Sequence, residues 1–145
     1  MEHNNLSLLY SELSLNPDLP TLAERCKLLT EFLLDCTSLP QTQPVCRCLG
    51  AYLEEMKSGL KESMRDFQVV EFEDEAEQPR QKEWLLEDTE AQCDYCRALN
   101  HILLVSHFDR DMLPHLTGLL HDITHSMAAD VVAPQSAKTV IHIIS

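Results

Sequence analysis

The stretch PVCRCLGAYLEEMKSGLKESMRDF, residues 44–67, decides the fold class. Its apolar side chains fall at Val45, Leu49, Tyr52, Leu53, Met56, Leu60, Met64 and Phe67. Steps of three and four put them on one side of an α-helix of about six turns. Lys57, Lys61, Glu62 and Arg65 take the other side. A half-buried strand would need apolar residues at every second position, and this stretch lacks that alternation. Pro44 suits the opening turn, where its missing N–H has no helical partner to lose.

Working outward, the pattern repeats. Leu22, Cys26, Leu29, Leu33 and Cys36 line one face of a preceding helix, widened by Leu28, Phe32 and Leu34. Thr21 followed by Glu24 has the spacing of a capping box at its start. Before it, Leu6, Leu9, Tyr10 and Leu13 recur at helical spacing until Asn16-Pro17. Beyond residue 67, Thr89 and Gln92 form another capping-box pair, and Tyr95, Leu99, Ile102 and Leu103 give the helix they open its core face. Asp109 is placed to cap a last long helix with Leu113, Leu116, Leu120, Ile123 and Met127 as its seam, which Pro134 should stop. The tail, 132–145, ends in the β-branched run Val140-Ile141-His142-Ile143-Ile144, readable as a short strand or a packed extension. The whole chain, 1–145, therefore reads as one all-α domain: an antiparallel bundle of about five helices with an acidic loop between helices at about 68–82.

Charge sharpens that loop. The chain has 24 acids against 11 Lys and Arg, a formal −13. Residues 71–94 hold ten acids and two bases, so −8 of the total lies in 24 residues. Such a balance opposes binding to bare nucleic acid or to anionic membranes, both of which recruit basic surfaces. No apolar run approaches the ~20 residues of a membrane span. Met1-Glu2-His3-Asn4-Asn5 leads into no export signal, so the cytoplasm is the expected location. The six cysteines (Cys26, Cys36, Cys46, Cys48, Cys93 and Cys96) then read as reduced thiols packing as small hydrophobes.

Catalytic motifs are scarce. Three glycines leave no room for a phosphate loop or a Gly-x-Ser-x-Gly elbow. Cys93 and Cys96 form a CxxC, but no strand precedes it and no second suitable pair completes a zinc site, so the two read as half-buried thiols on a helix flank. His121 and His125 are four apart, on one helical face and able to share a metal, yet no glutamate sits between them in an HExxH pattern. The segment Leu119-Leu120-His121-Asp122-Ile123 resembles the doublet segment of HD-domain phosphohydrolases. That resemblance implies His121 and Asp122 as metal ligands, with His101 or His107 as an earlier ligand and Asp130 as the later acid. Thr124 stands where the family usually has glycine.

Two surfaces remain. Glu71, Glu73, Asp74 and Glu75, with Trp84, Leu85 and Leu86 just beyond, could steer and anchor a basic, partly apolar partner protein. The other reading of Trp84 is a core plug at the loop's end. On the last helix, Gly118, His121 and His125 share with Pro114, Ala128 and Ala129 a face poor in long charged chains. Such a face suits either a homodimer or partner contact or burial within the protein's own fold. The expectation is a non-enzymatic protein-binding adaptor, chaperone or regulator, with no cofactor or metal assigned. The alternatives are a metal-dependent HD-type hydrolase centred on His121 and Asp122, and an acidic nucleic-acid mimic that blocks a basic protein.

Overall fold

Capping and close helix contacts build the architecture. The computed structural model describes residues 2–71 and 78–144, with side-chain surroundings described for 6–63 and 88–131. Among the described residues there are five α-helices, a one-turn 3-10 helix at Arg110–Met112, and no strand. The α-helices are α1 (Glu2–Leu13), α2 (Leu19–Leu34), α3 (Leu39–Glu71), α4 (Gln78–Val105) and α5 (Leu113–Ile144). The chain is an all-α helical bundle.

Helices α2, α3, α4 and α5 form a ring in which each packs on its sequence neighbour and α5 closes back on α2. Polar contacts fix the antiparallel senses. Gln43 donates to the Leu104 carbonyl at one end of the α3–α4 pair, and Lys57 meets Glu90 toward the other. Helix α1 lies across α3, where the buried Tyr52 hydroxyl donates to the Leu9 carbonyl, and Arg25 of α2 pairs with Glu12.

Local chemistry moves several boundaries. Helix α2 starts at Asp18 rather than Thr21: the Asp18 carboxylate accepts from the Thr21 N–H at 3.0 Å. Hydrogen bonds from Thr21 hold the Asp18 carboxyl below its usual range. Between α1 and α2, Asn16 adopts the left-handed region with φ 54, a conformation asparagine tolerates better than most residues. Helix α3 begins five residues before Pro44, which lies inside it and forgoes the bond to the Pro40 carbonyl. Asp109 caps the 3-10 turn and makes no side-chain capping bond to α5. Pro134 does not end α5, which runs on to Ile144. The tail is thus helical through Ile144 and not a strand. Of the acidic segment at 68–82, α3 takes 68–71 and α4 takes 78–82, and residues 72–77 lie outside the described residues.

The larger correction concerns α4. It opens at Gln78, so Thr89 is mid-helix and buried rather than a cap. The buried stripe runs Thr89, Cys93, Cys96, Asn100, Leu103, in steps of three and four. Tyr95 and Ile102, expected in the core, face out at 59% and 37% exposure. The reason is close approach. A Cβ on Gly50 of α3 would stand 3.2 Å from the Asn100 amide nitrogen, and that amide donates to the Cys46 carbonyl at 2.9 Å. Helices this near accept cysteine, glycine and one amide whose nitrogen is bonded across the gap, and no large ring.

Candidate functional site

Two regions gather residues able to do chemistry or recognition. The first is the outer groove between α4 and α5. Gln92 donates to Ser126 at 3.3 Å and to Asp130 at 3.0 Å, which sets the register of the antiparallel pair. From that contact the row Tyr95, Leu99, Ile102 on α4 runs alongside the row Ile123, Leu119 and the neighbouring Leu116 on α5. Leu99, Leu116 and Ile123 are half-buried and pack against the core. Tyr95, Ile102 and Leu119 (49%) present large apolar surface to solvent. Ala98, also exposed, adds no charge to the strip.

The second region is the seam between α2 and α5. Thr30 and Thr124, both fully buried, share a hydrogen bond at 3.0 Å, with Thr124 also bonded to the His121 carbonyl. This pair pins the two helices and explains a threonine at 124. It also sets Glu31 of α2 beside His121 and His125 of α5. One ligand atom from each of these three residues lies within 4.8 Å of the others. His125 Nε2 is 3.9 Å from Glu31 Oε1, and the two imidazole rings are 4.1 Å apart, tilted by 58°. The Nε2 atom is shielded from solvent and has no hydrogen-bond partner.

The residues singled out from sequence divide accordingly. His121 and His125 come together, while Gly118 sits on the same helix with open space where a Cβ would be. Ala128 of that face is buried, so part of the face packs within the fold. The seam adds Glu31, whose only sequence signal was an acid on the outer edge of α2, some 90 residues from its companions. Asp122 is exposed, 3.9 Å from His121 Nδ1, and outside the three-residue cluster. Asp130 is held by Gln92, and His101 and His107 are exposed on α4 and in the loop that follows it. Glu71, Glu73, Asp74, Glu75, Trp84, Leu85 and Leu86 lie outside the residues whose side chains are described.

The six cysteines form no disulfide. Cys93 and Cys96 are core residues, not flank residues. Burial pushes Cys46, Cys93 and Cys96 up to about 12, Cys48 up to about 11, and Cys26 well above the ordinary thiol value. Thiolate is the reactive form, so these five are inert at neutral pH. A thiol reagent added to native protein should therefore modify Cys36, which is half-buried, well ahead of the rest, with five more groups appearing only in denaturant. Rapid native modification at Cys93 or Cys96, read by peptide mass, would contradict their placement.

Comparison with protein-family models, curated proteins and solved structures returned no match. No helix among the described residues is long and apolar enough to cross a membrane.

Proposed function

We propose that the chain is a non-enzymatic protein-binding module, of the adaptor, chaperone or regulator kind, whose recognition surface is the α4–α5 groove. One observation carries this reading: α4 buries Cys93, Cys96 and Asn100 and leaves Tyr95 and Ile102 exposed, as α5 leaves Leu119. Contiguous exposed apolar surface marks binding sites, and tyrosine is among the residues that dominate interface energies. A groove between two antiparallel helices fits a third, amphipathic helix from a partner. The charge of −13, with the exposed Asp122 one turn from Leu119, favours a partner helix carrying basic residues at its edges.

The test pairs Tyr95→Glu with Leu119→Glu. Both positions are exposed, so melting should stay within about 0.5 kcal/mol of the parent. A partner cross-linked and recovered from the native cell with the parent protein should bind the double variant at least about 30-fold more weakly, the scale of a hot-spot loss. The same partner captured with unchanged affinity would remove the groove from the function.

A further inference from the structure

We propose that Glu31, His121 and His125 form a binding site for a divalent cation of the zinc class, a site independent of the α4–α5 groove. The argument begins with the atoms that face one another. A neutral imidazole nitrogen and a carboxylate oxygen are both acceptors, and at 3.9 Å no proton joins His125 Nε2 to Glu31 Oε1 as a hydrogen bond. His125 Nε2 is nonetheless shielded from water and otherwise unpartnered, which leaves a buried polar nitrogen without compensation in either tautomer. A second imidazole, His121, stands 4.1 Å away centroid to centroid. Protonating both rings would place two cations side by side. One divalent cation between the three groups satisfies all of them.

Distances agree. Zinc bonds of about 2.0–2.1 Å to nitrogen and oxygen place neighbouring tetrahedral ligands roughly 3.3 Å apart, so ligand atoms within 4.8 Å need close by at most about 1.5 Å. The exposed Glu31 side chain has the freedom to make that movement. The histidines are one helical turn apart in the N-terminal half of α5, and the Thr30–Thr124 bond holds α2 at the matching height. Two imidazoles and one carboxylate are a borderline donor set that selects zinc-like metals over magnesium or calcium. Three protein ligands leave a fourth position open to solvent, as in zinc sites that hold a water.

The test uses the full chain purified without a histidine tag, stripped with chelator and kept reduced by a phosphine. Calorimetric titration with Zn²⁺ alone should show one ion per chain. Glu31→Gln and, separately, His125→Asn should each weaken that binding by at least about 10–100-fold, the loss that follows removal of even an outer-sphere partner. Glu31 is exposed and His125 half-exposed, and neither belongs to the apolar core, so circular dichroism of the metal-free variants should match the parent. Co²⁺ in place of Zn²⁺ should give ligand-field bands with no thiolate charge-transfer band. No stoichiometric binding, binding unchanged in both variants, or a thiolate band assigning the metal to the cysteines would each overturn the proposal.

Discussion

Leu53→Ala should lower the unfolding free energy by about 2–5 kcal/mol, with a urea midpoint shifted down at unchanged slope. Leu53 is fully buried on α3, the helix that α1, α2 and α4 all pack against. Cys93 donates its thiol to the Leu53 carbonyl, so the backbone there is tied to α4 and has little freedom to collapse into the space left. The loss therefore includes both the transfer of the missing methyl groups and a cavity. Against a total of about 5–15 kcal/mol for a domain of ordinary stability, one such change is a large fraction. A loss under about 1 kcal/mol would mean that the α3–α4 contact relaxes freely, and the close approach at Gly50 and Asn100 would then not describe the solution state.

That close approach also separates what the sequence could reveal from what it could not. Val45, Leu49, Tyr52, Leu53, Met56 and Leu60 are buried as their spacing demands, as are Leu22, Cys26, Leu29 and Leu33 on α2, because a large apolar side chain on a regular stripe has one low-energy destination. Leu34, counted with the same α2 face, is exposed. Helix α4 offered two stripes. Tyr95, Leu99 and Ile102 outweigh Cys93, Cys96 and Asn100 in hydropathy, but the choice between stripes is made by the distance to α3, which no single segment encodes. Asn100 enters the core because the Cys46 carbonyl accepts its amide, a partner 54 residues away. The α2–α5 seam shows the same limit. Spacing placed His121 and His125 on one face, and the buried pair Thr30–Thr124 supplied the third residue by fixing which turn of α2 lies opposite. Recognition surface and cation cluster thus both depend on inter-helix register, whereas helix content depends on local pattern.

The second large effect is expected at Lys57. Its ammonium bonds Glu90 at 2.6 Å and Asp94 at 2.8 Å from a side chain only 14% exposed, bridging α3 and α4. Arg97 adds bonds to Asp94 and to Glu54. Lys57→Met keeps the aliphatic stem and its packing while removing the charge. Breaking a buried pair costs about 3–5 kcal/mol, and an exposed pair contributes about 0–1. Glu90 at 24% and Asp94 at 44% exposure lie between those limits, so the expected loss is about 1–3 kcal/mol at neutral pH. Its pH dependence identifies the cause. Burial pushes the Asp94 carboxyl up, but the bonds from Lys57 and Arg97 outweigh it and hold the group below 3.8. A depressed acid stabilises above its unfolded value and loses that contribution as pH falls through the folded one. Burial lowers Lys57, and its two carboxylate partners outweigh that to raise it above 10.5, so its contribution fades only as pH rises through the raised value. The gap between parent and Lys57→Met should accordingly be flat from about pH 5 to 9 and narrow on both sides. Denaturant melts across that range measure it directly. A gap that persists unchanged to about pH 2 would show that the ion pairs are not its cause.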